Sequence, residues 1–417
     1  MRRFPFLLFA VLCLSSCVTA DVSKAKKHPP FFLKPTAYSA LPGWAADGTA
    51  ATLAPLQKSC APILKADAEK SFGPLPYAGK YADWQEICRK LPEQADDADA
   101  RQFFVDSFTP YEIWNDKDRN GLFTGYYEPI LHGALKKKKP YLIPLYARPA
   151  DLITVNLGDF KPDLKGETVM GRVEGEKLVP YYTRAEIEDG KLKKTKQVVW
   201  VDNAVDAFFL HIQGSGQVIL PHNQVMQVGY AAANGRPYTA IGKELIKRGA
   251  LDKKNVSMQT IRAWLEEHPK EAPGVMDVDE SFVFFRKLDT ESPLGAQGVE
   301  LTPGRSIAVD RKLIPYGAPV WLDAETPEKT GRLQRLMVAQ DTGGAITGAV
   351  RGDFFWGAGA EAAEKAGIMK SAGQSYVLLP KTVEVPATFS VRPWWMQPFA
   401  SSGVKLNGTP GNFAYNR

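Results

Sequence analysis

Histidine is scarce in this 417-residue chain. Its five histidines, His28, His132, His211, His222 and His268, are scattered, and none pairs at metal-ligand spacing. A zinc site needs such pairs, so no metal is expected, and no cofactor either. No phosphate-cradling glycine loop is present. Gln213-Gly214-Ser215-Gly216 lacks the order of a G-x-S-x-G elbow, which argues against a serine hydrolase. Asp341-Thr342-Gly343 occurs once, whereas aspartic-protease chemistry needs two such carboxyls sharing a proton. No stripe of basic residues interleaved with aromatics points to nucleic acid. No run reaches the ~18 apolar residues that a membrane-spanning helix requires.

What is present starts at the N-terminus, MRRFPFLLFAVLCLSSC. Arg2 and Arg3 form a basic head, and residues 4–14 form a short apolar segment. Leu14-Ser15-Ser16-Cys17 has the form of a bacterial lipobox, whose cysteine is acylated; an ordinary signal peptide cut after small residues is the alternative. Val18, where Asp would signal inner-membrane retention, favours a lipid anchor in the outer membrane facing the periplasm. Residues 1–16 would then be a lipoprotein signal peptide. Residues 17–36, polar and proline-containing, would be a lipidated tether reaching on the order of 25 Å. Of the four cysteines, Cys13 would leave with the signal and Cys17 would carry lipid. Cys60 and Cys88 remain. An oxidising compartment makes them candidates for a disulfide, with two buried free thiols as the alternative. The formal charge of +6 falls by the two head arginines to +4, a mildly basic balance that suits an anionic wall surface. The Lys136–Lys139 run before Pro140 reads as a solvated hairpin tip.

The length suits about two domains. Residues 50–118 look helical: Trp84, Ile87, Cys88 and Leu91 fall at helical spacing, as do Phe104, Val105 and Phe108. From about 134 to 230 the pattern is β, with YLIPLY, KQVVWVD and AFFLHIQGSGQVIL strand-like. Helical signals return near residues 242–246 and 261–265, and ESFVFF opens a second β-rich block. The last seventeen residues, 401–417, are a polar tail.

The second β-rich block carries the chemistry. Between Gly298 and Trp356 three aspartates, Asp310, Asp341 and Asp353, each follow an apolar or small-residue run and precede turn residues. Short strands broken by glycine and proline suggest a compact barrel. Carboxylates at strand ends of such a scaffold face grooves, and grooved carboxylates cleave glycosidic bonds. Turn-capping aspartates are the alternative at each position.

Six blocks agree in order with one family: GLFTGYYEP, FFLHIQGSGQVIL, GYAAANGRPYTAIG, ESFVFFR, SIAVDRKLIPYGAPVWL and MVAQDTGGAITGAVRGDFFWGAG. Together they resemble the membrane-bound lytic murein transglycosylase A family, from about Gly121 to Pro380. The resemblance implies a mainly β protein with helices, of α+β class. Its catalytic domain would be a double-psi β-barrel of the barwin-like, three-aspartate kind, with N-terminal helices. That domain would comprise residues 37–133 and 277–400, and residues 134–276 would form an inserted second β-barrel-like domain. The partner would be the glycan strands of peptidoglycan. Membership in cell-wall synthesis or division complexes is conceivable on the same grounds.

The reaction that the resemblance implies breaks the β-1,4 bond between N-acetylmuramic acid and N-acetylglucosamine. The C6 hydroxyl of the same sugar attacks C1 and leaves a 1,6-anhydro end. The nucleophile is tethered, so one carboxyl group can serve as acid and then as base. Asp353 is the first candidate, because its aromatic neighbours Phe354, Phe355 and Trp356 would raise its pKa. Asp341, in the D-T-G-G turn, is a supporting candidate, and Asp310, beside Arg311 and Lys312, a third. Tyr126, Tyr127, Glu128, Gln213, Ser215 and Trp356 are candidate substrate contacts. Core packing is the alternative for one of the two tyrosines, and a structural turn for Gln213 and Ser215. A two-carboxylate hydrolase using Glu128 as base, or a wall-binding lipoprotein without activity, would also fit the residues.

Overall fold

The computed structural model describes residues 31–385, apart from 165 and 193, and the backbone of Ser390 and Val391. The Cys17 lipobox and the 401–417 tail lie outside the described residues.

Two β assemblies organise the chain. In the first, six strands close into a barrel in the order Pro319–Glu325, Arg332–Asp341, Ser306–Val309, Arg351–Ala358, Gly121–Glu128 and Lys370–Pro380, the last pairing back with the first. Two neighbouring pairs run parallel, Ser306–Val309 with Arg332–Asp341 and Arg351–Ala358 with Gly121–Glu128. The other pairings are antiparallel. Lys370–Pro380 also pairs with Phe108–Asn115, which in turn pairs with Phe31–Pro35. Residues 31–35, expected within the tether, therefore form a strand.

Pro319–Glu325 is buried at every position but its last. Ser306–Val309 is buried at every position. Leu53, Leu56, Ile63, Trp84, Ile87 and Phe104 share one core with Ile307, Val320, Trp321 and Val338. These residues sit on three helices, Leu53–Lys65, Tyr81–Lys90 and Asp97–Ser107. The third helix begins where the Asp96 carboxylate accepts the N–H groups of Ala98 and Asp99. It ends one residue before Phe108, which opens a strand. Cys60 and Cys88 are disulfide-bonded, with Cα atoms 5.5 Å apart, and join the first two helices. Arg305 holds Asp47 with two guanidinium contacts of 2.8 and 3.0 Å, clamping the N-terminal segment to the barrel.

The second assembly is a six-stranded sheet in the order Val283–Leu288, Gln224–Ala233, Ser215–Leu220, Ile130–Ala134, Gln197–Val201 and Ile143–Tyr146. A three-stranded sheet, Ile153–Asn156, Thr168–Glu174 and Lys177–Pro180, accompanies it. The six-stranded sheet extends past the expected limits of 134 and 276. ESFVFF, read as the start of the aspartate-bearing block, supplies its Val283–Leu288 edge instead. AFFLHIQ, read as strand, is the helix Ala204–Gln213. Its apolar run is buried nearly all round, so it shows no polar face that would betray helical periodicity. The local signals were the Asn203 cap, which accepts from Val205 and Asp206, and Gly214 at φ 82°. Among the described residues no helix is long and apolar enough to cross a membrane.

The disulfide closes a loop of sequence separation 28, so its loss should cost roughly 3–4 kcal/mol in the chain-entropy description. A Cys60→Ser/Cys88→Ser double variant is expected to unfold at correspondingly lower urea concentration. An unchanged midpoint would show that the packed helices need no covalent link.

Candidate functional site

The barrel register gathers the aspartates. Ala308 pairs with Asp341 on one side and with Asp353 on the other. Asp353 in turn pairs with Thr124, and Thr124 with Lys370. One row thus runs Asp341, Ala308, Asp353, Thr124 across four adjacent strands. With neighbouring strands about 4.8 Å apart, the two aspartate Cα atoms stand roughly 10 Å from each other. Phe123 and Phe354 point into the barrel core. Alternation along each strand sends Thr124, Tyr126, Asp353 and Phe355 to the opposite face. Gly352 lets the strands approach there, since a Cβ would meet Ile307 at 2.8 Å and Phe123 at 3.0 Å.

Both aspartates sit deep, although their residues retain partial exposure. Burial pushes the Asp353 carboxyl up to about 6; a hydrogen bond from Thr124 and the Arg351 charge pull the other way, and Asp341 adds to the rise. The Thr124 hydroxyl donates to Asp353 Oδ1 at 2.5 Å, and Arg351 Nη2 donates to the same hydroxyl at 2.9 Å. Burial likewise pushes Asp341 up to about 6, against the N–H groups of Ala296 and Thr342, each 2.9 Å from its Oδ1. The Tyr126 ring lies 5.1 Å from that of Phe355. Its buried hydroxyl lies near both aspartates without a partner at hydrogen-bond geometry. Asp310 is different. Its two oxygens accept from the backbone of Lys312 at 3.0 Å and Gly348 at 2.7 Å, so it ties two turns together.

The other candidates divide. Glu128 is 2 % exposed; Oε2 accepts from Gln217 at 2.9 Å, Oε1 is buried without a partner, and burial raises the carboxyl to about 6. Its strand pairing is with Ala358, well along the barrel from Asp353. Tyr127 is 5 % exposed and packs against Ala362 and Ala366, which leaves no free ring face for a sugar. Gln213 accepts the Tyr127 backbone N–H at 3.1 Å, a structural tie between the two assemblies. Trp356 turns away from Asp353, with its ring 4.5 Å from Phe354 and its indole nitrogen against Gly125. These four residues do not join the aspartate row. Ser215 is half-buried at the start of its strand, after Gly214. Thr124 and Arg351 were missed by sequence reasoning. Only strand register brings Thr124 beside Asp353, and nothing local in GLFTGYYEP signals it. An open concavity lined by Arg248, Leu251, Trp264 and His268 lies on the helical segment between Gln224–Ala233 and Val283–Leu288 and shares no residue with this row.

A buried acid of this kind works against folding. An unfolded aspartate titrates near 4, and Asp353 near 6, so folding takes up a proton in between. The resulting loss of stability grows as pH rises from 4 to 6 and is constant above. Asp353→Asn should therefore be more stable than the parent at pH 7, on the order of 1–2 kcal/mol after allowing for groove solvent. At pH 4 the advantage should shrink towards nothing. Denaturant titrations at both pH values measure it, and an equal difference at both would mean that the carboxyl is not raised.

Comparison with known proteins identifies the family. A profile described as the MltA specific insert domain matches residues 122–286, and the 3D domain matches residues 305–379. A membrane-bound lytic murein transglycosylase A homolog of Buchnera aphidicola is 31% identical over 323 residues, covering 76% of this chain and 81% of the relative. The crystal structure of a membrane-bound lytic murein transglycosylase from Agrobacterium tumefaciens superposes with a TM-score of 0.74 at 32% identity, covering 84% of this chain and 98% of that one. The Escherichia coli MltA with bound chitohexaose does so with a TM-score of 0.60 at 27% identity, covering 86% and 96%. The chain belongs to the membrane-bound lytic murein transglycosylase A family.

Proposed function

We propose that this protein is a peptidoglycan lytic transglycosylase that cleaves the β-1,4 bond between N-acetylmuramic acid and N-acetylglucosamine, with Asp353 as its single acid and base. The carrying observation is the raised carboxyl of Asp353 in a row with Asp341, on the barrel face opposite the core. A carboxyl near 6 can hold a proton long enough to deliver it to the glycosidic oxygen, then take the C6 proton back. Bond breaking develops positive charge at C1. Asp341, fixed by two backbone N–H groups and itself raised to about 6, stabilises that charge in its ionised form. Tyr126 is the aromatic best placed to meet a sugar, and a relative holds chitohexaose in the same fold.

The closed barrel has two parallel pairs separated by an antiparallel contact, which fits the double-psi description. In the expected division, 37–133 with 277–400 as catalytic domain and 134–276 as insert, the insert's limits then move outward to about 130 and 288, the ends of the six-stranded sheet. The N-terminal lipobox supports a lipid anchor at Cys17 in the outer membrane, facing the periplasm. The two-carboxylate reading with Glu128 fares worse. Glu128 lies four residues beyond Thr124 on its strand, roughly 13 Å along, whereas inverting pairs stand about 6.5–9.5 Å apart.

Three outcomes follow from this reading. Asp353→Asn should lose about 10²- to 10⁴-fold of its activity on purified sacculi while still binding them. Wild-type kcat should decline as pH rises through about 6, because the acid must start protonated. Mass spectrometry should find 1,6-anhydro muropeptides, one water lighter than hydrolytic products. Reducing muramic acid as main product, together with an equal loss in Glu128→Gln, would replace this reading with a hydrolase. For the anchor, Cys17→Ala should leave outer-membrane fractions and keep activity; continued fractionation with the outer membrane would remove the lipid assignment.

A further inference from the structure

The donor count at Asp353 carries an inference that rests on the proposed reaction. A threonine hydroxyl has one proton to give and two lone pairs to receive. Arg351 can only donate, and its Nη2 donates to Thr124 Oγ1 at 2.9 Å. Arg351 is itself fixed, because Nη1 donates to the carbonyl of Leu122 at 3.2 Å and to that of Gly352. The Thr124 proton is thereby committed to Asp353 Oδ1, 2.5 Å away. An oxygen that accepts so short a hydrogen bond is a poor place for a second proton. We infer that Arg351 and Thr124 are positioning residues that confine the transferable proton of Asp353 to Oδ2 and so orient the acid towards the glycosidic oxygen.

The same chain serves the second half of the reaction. Once Asp353 has given up its proton, Thr124 still donates and the nearby guanidinium still offsets the charge, so the carboxylate is ready to take the C6 proton. Arg351 acts through Thr124 and need not touch the substrate. Its neutral replacement would free the hydroxyl to rotate. The charged and titratable groups around Asp353 are Arg351 on its own strand, Tyr126 on the Gly121–Glu128 strand and Asp341 across Ala308. Lys370, paired with Thr124 from the next strand, is exposed. Of these, Asp341 pushes the Asp353 carboxyl up, and Arg351 pulls it down together with the Thr124 hydrogen bond.

The test is a set of kcat and KM pH profiles on purified sacculi for the full-length protein and for Thr124→Val, Thr124→Ser and Arg351→Gln. Thr124→Val keeps shape and removes the donor. Its alkaline limb should move up by about one pH unit and its best kcat should fall about 10- to 100-fold, the worth of a hydrogen bond to a charged group. KM should stay within about twofold. Thr124→Ser restores the hydroxyl and should recover the wild-type limb and most of the rate. Arg351→Gln should shift the limb in the same direction as the valine variant. A purely structural role for Thr124 would lower activity without moving the limb, and that result overturns the inference. So does a serine variant as impaired as the valine one. Asp353→Asn is assayed beside them: if it stays active, the assignment of the acid has failed, and with it this inference. If it is dead while the Thr124→Val limb is unmoved, only the inference has.

Discussion

The parallel pairing of Gly121–Glu128 with Arg351–Ala358 is the contact on which the rest of the candidate site depends. It joins Thr124 to Asp353 across 229 residues of sequence and completes the barrel ring. Loop closure grows only logarithmically with length, so a whole second sheet can occupy the intervening chain at small entropic cost. The strand that follows Glu128, Ile130–Ala134, already belongs to the other assembly, and Val283–Leu288 closes it before the chain returns to the barrel. Glu128 sits at that crossing. Its hydrogen bond to Gln217 and the Gln213 contact to Tyr127 join the barrel strand to the second sheet. Residues that a motif reading treats as substrate contacts are, in space, the seam between two assemblies.

The three aspartates of one sequence block take separate roles because the fold gives them different donors. Asp310 has a backbone N–H on each oxygen and serves its turns. Asp341 has two N–H groups on one oxygen. Asp353 has one hydroxyl, itself engaged by an arginine. Asp47, outside the block, is held by both arms of Arg305 and by the Leu336 N–H. A buried carboxylate with many donors is comfortable when charged, whereas one with few is held closer to its protonated form. Asp341 and Asp353 are both raised to about 6 by burial.

Much of this was legible before any coordinates. The aromatic run after Asp353, the D-T-G-G turn and the cysteine count each name residues whose surroundings match their chemistry. Trp84 and Phe104 show helical spacing because their helices lay one face on the barrel. Other features were out of reach for physical reasons. Ala204–Gln213 is buried on nearly all sides, so it lacks the polar face that marks a helix. Trp356, by contrast, is three residues from Asp353 on one strand, and alternation alone sets the two on opposite faces. Thr124 becomes visible only through register. A one-residue slip would send it to the core and Phe123 to the groove.

The placement of carboxyls bears on the class of reaction. A hydrolase must hold water opposite the leaving group, and the second carboxylate must stand where it can activate that water. Glu128 is buried at the seam at 2 % exposure, with Gln217 on one oxygen. Asp341 has one oxygen committed to two N–H donors, which offset only part of the burial that raises it to about 6. Both carboxyls are raised to about 6, and Asp353 differs in having a single side-chain donor, Thr124, on Oδ1, against the two backbone N–H groups on Asp341. A reaction that supplies its own nucleophile, the C6 hydroxyl tethered beside C1, asks for a single proton carrier of that kind. The scarcity of well-placed second carboxyls is therefore an argument for the intramolecular reaction over the hydrolytic one.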